Sequence, residues 1–165
     1  MALRVLAGFR GDAGGLREVS ADDPERGSGA VSYLLDTNIC IYALKNRPPS
    51  VLERLQSVGP SSVVLSVITV LELRYGAEKS QTAAASHERL DRFLSPISVL
   101  PFDEDAALIG SRIRAHLSRR GTPIGDLDLL IASQALTRNL ILVTNNLREF
   151  ERVPGLRVEN WVADP

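Results

Sequence analysis

Acidic side chains at separate places in the chain are the residues best suited to chemistry. The first, Asp36, stands where the apolar segment 33–35 ends and Thr37 and Asn38 follow. In an open α/β sheet, the crevice beyond the carboxyl ends of the strands is where ligands bind. The alternative is that Asp36 or Thr37 only caps the next helix, since both side chains accept hydrogen bonds from a first turn. The residues around Asp36 leave both interpretations open.

The second acid is Glu72, in a segment with helical periodicity. A period of 3.6 residues places Glu72 beside Ile68, Leu71 and Tyr75, which predicts an apolar stripe that contains a carboxylate. A buried charge without a partner is costly, so Glu is rarely found on such a stripe. The position therefore indicates a functional partner for Glu72.

Two further acids compete within the segment 121–132, which reads GTPIGDLDLLIA. Helical geometry puts Asp128 above Ala132 and Ala135, on a face of small residues that can approach a sheet closely. Asp126 falls on the far side, where it is expected to be an N-cap or a first-turn acid. Asp128 is therefore the candidate for function.

Polar residues also follow a late apolar segment, at Thr144, Asn145 and Asn146. Such residues often only form a turn. If the preceding segment is a parallel strand beside that of Asp36, Asn146 lies opposite Asp36. It is then a candidate for holding a water molecule or orienting an acid.

Three carboxylates in one cleft would repel one another. At about 4 Å and an effective dielectric constant near 20, each charged pair costs on the order of 4 kcal/mol. Such a cluster raises its own pKa values or recruits a cation. Oxygen ligands favour Mg²⁺ or Mn²⁺, whereas His87 and His116 lack the spacing of a zinc site.

The segments that must position these acids alternate between strand-like and helix-like patterns. Strands are predicted over 32–35, 62–65, 97–102, 140–143 and 156–158, and helices over 39–46, 51–58, 66–78, 82–94, 103–120 and 126–138. Alternation of this kind implies parallel strands joined by right-handed crossovers. The predicted fold is a three-layer α/β/α sandwich with a central parallel sheet of about five strands.

Composition bounds the class of protein. The 165 residues are 44% apolar and 24% charged, which is typical of one globular domain. The one cysteine, Cys40, excludes an intramolecular disulfide and is expected in the core. No apolar run approaches the roughly 20 residues that span a bilayer, and no signal peptide is evident. A cytoplasmic protein that does not associate with membranes is expected.

Residues 1–30 differ from the rest of the chain. They contain six glycines and no sustained helical or strand period. We expect a poorly ordered N-terminal extension, followed by a domain over 31–165. Because Val31 can be the translation of an alternative start codon, one hypothesis is that the extension is a start-site artefact. Detection of a peptide from residues 1–30 by mass spectrometry in the native host would end that hypothesis.

Four motifs together resemble those of PIN-domain ribonucleases of the VapC toxin type. They are DTN at 36–38, SxxTxxEL at 66–73, GxPIGxxDLLIA at 121–132 and TNNxREF at 144–150, and the match spans about 31–161. The resemblance implies a PIN-like fold and a Mg²⁺-dependent endoribonuclease, with Mn²⁺ as an alternative ion. It also implies a toxin of a type II toxin-antitoxin (VapBC) system that cleaves RNA, with a transfer RNA as the expected substrate, and so inhibits translation.

The resemblance also assigns roles to residues. Asp36 and Asp128 become metal ligands and Glu72 the third acid of the cluster. Asn146 occupies a position that is often Asp, which removes one negative charge and weakens the case for a second metal. Thr37 is expected either to contact the scissile phosphate or to cap the helix. The candidate RNA-binding patch comprises Arg112, Arg114, Arg119, Arg120, Arg148 and Arg152.

A VapB-type antitoxin and a homodimer are the partners that the resemblance implies, in addition to the RNA substrate. The apolar residues Ile39, Ile41, Tyr42 and Leu44 either supply a groove for the antitoxin or belong to the core. The sequence names neither the RNA nor the antitoxin.

Other enzyme classes fit less well. A phosphoryl-transfer enzyme with an aspartyl nucleophile would have a second Asp where Asn38 stands, and the P-loop and GxGxxG motifs are absent. The alternative that remains is a catalytically silent PIN domain that binds RNA or protein. Retention of Asp36, Glu72 and Asp128 argues against it.

Overall fold

The computed structural model describes residues 32–162, so the predicted extension over residues 1–30 lies outside the described residues. Five parallel strands form one sheet in the order β3-β2-β1-β4-β5. The strands are β1 Tyr33–Leu35, β2 Val63–Ser66, β3 Ser98–Leu100, β4 Ile141–Val143 and β5 Arg157–Glu159. The predicted parallel sheet is confirmed.

Seven α-helices connect and follow these strands in the described part of the chain. They are α1 Thr37–Lys45, α2 Pro49–Val58, α3 Val67–Glu78, α4 Ala83–Leu94, α5 Glu104–Arg119, α6 Asp126–Thr137 and α7 Leu147–Phe150. The first six were predicted with slightly different ends. Helix α2 begins at Pro49 because proline fits the first turn of a helix. Helix α7 has only four residues, too few to show a helical period.

The sheet lies between two layers of helices. On β1, Tyr33 and Leu35 pack with α1–α4 on one face, whereas Leu34 packs with α5, α6 and α7 on the other. Both faces of the central strands are covered, which explains why these strands are apolar throughout. The predicted three-layer α/β/α sandwich is confirmed. No helix in the described part of the chain is long and apolar enough to cross a membrane.

Close packing between α5 and α6 positions the start of α6. Gly110, Ile113 and Leu117 of α5 are buried on the side that faces α6 and the sheet. A Cβ atom at Gly110 would lie 3.4 Å from Ser133 on α6, so glycine lets the two helices approach. Ala132 and Ala135 of α6 are fully buried, as predicted from their small face.

The sheet changes direction of winding at β1. The chain runs from β1 to β2 on one side, and β4 returns on the other side of β1. A crevice opens at such a point beyond the carboxyl ends of the strands. Asp36 follows β1 there, and its backbone N–H donates to the carbonyl oxygen of Val143 at the end of β4, at 2.9 Å.

The predicted apolar stripe on α3 is wrong. Leu71 and Tyr75 are 59% and 63% exposed, and the buried face instead contains Thr69, Val70, Leu73 and Ala77. Helix α3 is apolar on several sides, so its period alone does not show which side faces the sheet. Glu72 lies at the boundary between the two faces and is half-buried.

Candidate active site

Asp36 is held at the carboxyl edge of the sheet by hydrogen bonds to both of its carboxylate oxygens. The side chain is buried, with 4% of the residue exposed. Its Oδ1 accepts from the backbone N–H of Thr37 at 2.7 Å. Its Oδ2 accepts from Asn38 Nδ2 and from the hydroxyl of Thr144, each at 2.7 Å. Asp36 therefore both caps α1 and lies in the crevice, so the two interpretations of the sequence are compatible.

The electrostatic environment of Asp36 opposes its charge. Burial raises the pKa of the Asp36 carboxyl above its ordinary value, and the nearby charge of Glu72 adds to the increase. Hydrogen bonds from Thr144, Thr37 and Asn38 lower the pKa and offset part of that effect. The net result is a carboxylate that a nearby cation would stabilise.

Thr37 brings Glu72 beside Asp36. The hydroxyl of Thr37 donates to Glu72 Oε2 at 2.5 Å, which joins the start of α1 to the middle of α3. Because the backbone N–H of the same residue binds Asp36, Thr37 contacts two of the three predicted acids. The expected contact of Thr37 with an RNA phosphate stays a prediction.

Asp128 lies in the first turn of α6, where burial and neighbouring negative charges both oppose ionisation of its carboxyl. Burial raises the pKa of Asp128 to about 6, with further contributions from the charges of Asp36, Glu72 and Glu149. Asn146 Nδ2 donates to Asp128 Oδ2 at 3.4 Å. A Cβ atom at residue 125 would lie 3.3 Å from the same oxygen, so Gly125 leaves room for the carboxylate.

These acids therefore converge on one crevice, and their chemistry fits a hard divalent cation. Asp36, Glu72 and Asp128 bear only oxygen donors, and the charge of Glu72 contributes to the raised pKa values of both Asp36 and Asp128. Among residues 32–162, no three His, Cys, Asp or Glu side chains form a ready-made metal group. Mg²⁺ typically binds through one or two carboxylates and retains waters or substrate oxygens, so a full protein cage is not required.

Comparison with known proteins identifies the family. The PIN domain family matches residues 33–156. This chain belongs to the PIN domain family. It is 46% identical over 131 residues to the "tRNA(fMet)-specific endonuclease VapC" of Salmonella typhimurium, covering 79% of this chain and 98% of the relative. It is 47% identical over 133 residues to "Ribonuclease VapC2" of Haemophilus influenzae, covering 80% and 99%.

Solved structures of similar proteins agree with this assignment. The DNA-bound VapBC structure from Salmonella typhimurium aligns with a TM-score of 0.76 and 45% identity, over 80% of this chain and 99% of that one. VapBC2 from Rickettsia felis, bound to a promoter DNA fragment, aligns with a TM-score of 0.75 and 38% identity, over 80% and 100%. The resemblance inferred from the four motifs is therefore confirmed.

Glu149 is an acid of this PIN domain that the sequence analysis missed. Its charge contributes to the raised pKa of Asp128, and its Oε2 lies 3.4 Å from Arg152 Nη1. The TNNxREF motif contains a signal for Glu149. Asn146 and Glu149 are three residues apart, and residues with this spacing lie on the same side of a helical turn. Asn146 occupies a position that is often Asp, and Glu149 supplies a negative charge close to it.

Asp126 lies apart from this cluster. Its carboxylate pairs with Arg114 at 3.1 Å, and both side chains are largely exposed. The N-cap position of α6 belongs to Gly125, so the expectation of a first-turn acid is confirmed and that of an N-cap is wrong.

The predicted RNA-binding arginines of the PIN domain divide into two groups. Arg114 pairs with Asp126, and Arg152 contacts Glu149 and the carbonyl oxygen of Pro123. Arg112, Arg119, Arg120 and Arg148 are exposed, on α5, directly after it and on α7. The second group is better placed to contact a phosphate backbone.

The apolar residues of α1 lie in two different environments. Ile39 is fully buried in the core, whereas Ile41 and Leu44 line a groove of about 270 Å³ between α1, α3 and α4. Glu72 lies at this groove, and Lys45 and Arg89 line it as well. The groove therefore leads from an apolar surface to one of the acids.

Proposed function

We propose that this PIN domain is a divalent-metal-dependent endoribonuclease and the toxin of a type II toxin-antitoxin pair. The observation that carries the proposal is the convergence of Asp36, Glu72 and Asp128 from three elements at the crevice beside β1. The similar proteins named as ribonucleases and as a transfer-RNA endonuclease support RNA as the substrate class.

The three acids would have different roles in phosphodiester hydrolysis. Asp36 and Asp128 would hold Mg²⁺ or Mn²⁺, which when bound lowers the pKa of a water molecule and polarises the phosphoryl group. Glu72 would orient the attacking water and accept its proton. The hydrogen bond from Thr37 fixes one oxygen of Glu72 and so sets the direction of its carboxylate.

Asn146 has a positioning role in this proposal. Its amide donates a hydrogen bond to Asp128, and it adds no negative charge to the cleft. Glu149 supplies a further charge near Asp128 and would attract a second cation that arrives with the substrate phosphate.

The RNA would lie across the exposed arginines of α5 and α7. The chain has a net charge of −1, so attraction to RNA must come from a local patch. Arg112, Arg119 and Arg148 are the residues proposed for it. Thr37 would contact the scissile phosphate by exchanging its hydroxyl hydrogen bond to Glu72 for one to a phosphate oxygen. If they neutralise phosphates, RNA affinity falls as salt rises, and replacing one of them with Ala reduces the salt dependence.

A transfer RNA is the proposed substrate, and its cleavage in the cytoplasm would inhibit translation. A VapB-type antitoxin is the proposed inhibitor, because the structural neighbours are VapBC complexes. The groove beside Glu72 is a suitable place for an antitoxin segment to cover the site. A toxin homodimer is proposed on the same likeness, and the exposed Leu71 and Tyr75 on α3 would suit a protein contact.

Cleavage by the purified full chain tests this function. Initiator transfer RNA and an elongator transfer RNA are incubated with the wild type, Asp36→Asn and Asp126→Asn, in Mg²⁺ or in chelator. We expect Mg²⁺-dependent cleavage by the wild type, a loss of at least roughly 10³-fold in Asp36→Asn, and no change in Asp126→Asn. Equal activity in the wild type and Asp36→Asn would indicate a contaminating nuclease and a PIN domain that only binds.

A further inference from the structure

The hydroxyl of Thr144 binds Asp36 directly and is linked to Asp128 through Asn146. We propose that Thr144 is a positioning residue, which holds Asp36 and Asn146 in the arrangement that a divalent cation requires. This inference rests on the proposed metal-dependent nuclease function and assigns a role to a residue outside the acidic set.

Thr144 makes every hydrogen bond that a hydroxyl can make. It donates to Asp36 Oδ2 at 2.7 Å, and it accepts from the backbone N–H of Asn146 at 2.9 Å and from Asn38 Nδ2 at 3.3 Å. One donor and two acceptor positions are the full capacity of a hydroxyl group. The residue is fully buried, so water cannot replace these partners.

These bonds form a continuous path between the two sides of the cleft. Asp36 binds Thr144, Thr144 binds the backbone of Asn146, and the side chain of Asn146 binds Asp128. Loss of the hydroxyl would therefore remove one of the three hydrogen bonds to Asp36 and the acceptor for the backbone N–H of Asn146, whose side chain binds Asp128.

The backbone of Thr144 is anchored independently of the acids. Its N–H donates to the carbonyl oxygen of Glu159 in β5 at 3.0 Å. A branched β-carbon also restricts rotation about χ1. The hydroxyl is therefore presented to Asp36 from a fixed support, which is what orienting a metal ligand requires.

Replacing Thr144 with Val keeps the shape of the side chain and removes the hydroxyl. We expect kcat for RNA cleavage and the affinity for Mn²⁺ without RNA each to fall about 10- to 100-fold, the usual effect of losing a residue that orients a metal ligand. KM for RNA should stay unchanged because Thr144 does not face the substrate. Thr144→Ser, which retains the hydroxyl, should recover both quantities to within a few-fold of the wild type.

Thr69→Val is the matched control. Thr69 is also fully buried, and its hydroxyl donates to the backbone carbonyl of Leu35 at 3.4 Å rather than to an acid. We expect Thr69→Val to bind Mn²⁺ and cleave RNA as the wild type does. If Thr144→Val does not fold, Thr144→Cys takes its place, because a thiol is similar in size and a weaker hydrogen-bond donor.

Mn²⁺ binding is measured on the full chain by the decrease in the electron paramagnetic resonance signal of the free ion, and cleavage is measured separately. Loss of both in Thr144→Val, with recovery in Thr144→Ser, supports the proposal. Wild-type Mn²⁺ affinity and kcat in folded Thr144→Val or Thr144→Cys would overturn it while leaving the nuclease function intact. A wild type that neither binds Mn²⁺ nor cleaves RNA would refute the nuclease function, and this inference with it.

Discussion

The two sides of the crevice hold their acids very differently. Asp36, at the end of β1, is buried and accepts three hydrogen bonds of 2.7 Å. Asp128, at the start of α6, is half-buried and accepts one hydrogen bond of 3.4 Å from Asn146. The β1 side is therefore pre-organised, whereas the α6 side can adjust its position.

This difference suits a site that must bind both an ion and a substrate. A fixed carboxylate defines where a cation sits, because its orientation does not have to be established on binding. A second acid with fewer contacts can move when a phosphate enters the coordination sphere. Substitutions on the α6 side test whether the adjustable acid both binds the ion and opposes its own charge.

The largest expected difference between Asp128 and Asp126, the two acids of α6, is in the rate of RNA cleavage. Asp128→Asn should lower kcat for RNA cleavage by roughly 10²- to 10³-fold, because it removes a metal ligand. Asp126→Asn is the matched control, since Asp126 lies two residues away on the same turn and pairs with Arg114. Equal kcat values in the two variants, measured at saturating Mg²⁺, would exclude Asp128 from the reaction.

In the absence of divalent ions, Asp128 is expected to have a smaller effect, on the free energy of unfolding. The pKa of Asp128 in the folded protein is about 6, above its ordinary value of 3.8. The raised pKa of Asp128 therefore stabilises the folded protein fully when the pH is below the ordinary pKa. This contribution to the free energy of unfolding is lost as the pH rises through about 6. Solvent screens this half-buried group, so we expect a loss of about 1 kcal/mol.

Urea unfolding in chelator at about pH 3.5 and about pH 7.5 measures this contribution. Asp128→Asn has no charge at this position, so it should be more stable than the wild type by about 1 kcal/mol at the higher pH. Asp126→Asn should follow the wild-type curve. An Asp128→Asn variant that is less stable than the wild type at the higher pH would show that the acid is not under repulsion.

The smallest effect concerns Glu149. Glu149→Gln removes one of the charges that raise the pKa of Asp128, so that pKa should decrease. Carbon-detected NMR titration of the Asp128 carboxyl measures the shift, and kcat should fall only a few-fold. Glu151→Gln, on an exposed neighbouring residue, is the control. An unchanged Asp128 pKa in Glu149→Gln would show that the charge of Glu149 does not act on Asp128.

The fold was predictable because its signals are local. Apolar strands that alternate with helices require a parallel sheet covered on both faces, and Asp36 ends the first strand. The small face of Ala132 and Ala135 is buried as predicted, and Asp126 lies on the exposed side of α6. The order of the strands and the position of β4 beside β1 depend on contacts between distant segments, which periodicity does not encode.

The errors arose where one helix face resembled another. The stripe of Leu71 and Tyr75 was predicted to be buried and is exposed, because α3 is apolar on more than one side. Glu149 was missed because α7 is too short to show a period. The bonds of Thr144 connect residues far apart in the chain, so only the folded structure shows them.

The most direct test of a shared divalent site is a crystal structure of the wild type soaked in Mn²⁺, with the ion located by its anomalous signal. We expect an ion about 2–2.3 Å from oxygens of both Asp36 and Asp128, with Asp36 in the same orientation and Asp128 moved toward the ion. An ion bound elsewhere, or none at this crevice while the crystals bind Mn²⁺ at other acids, would contradict the account.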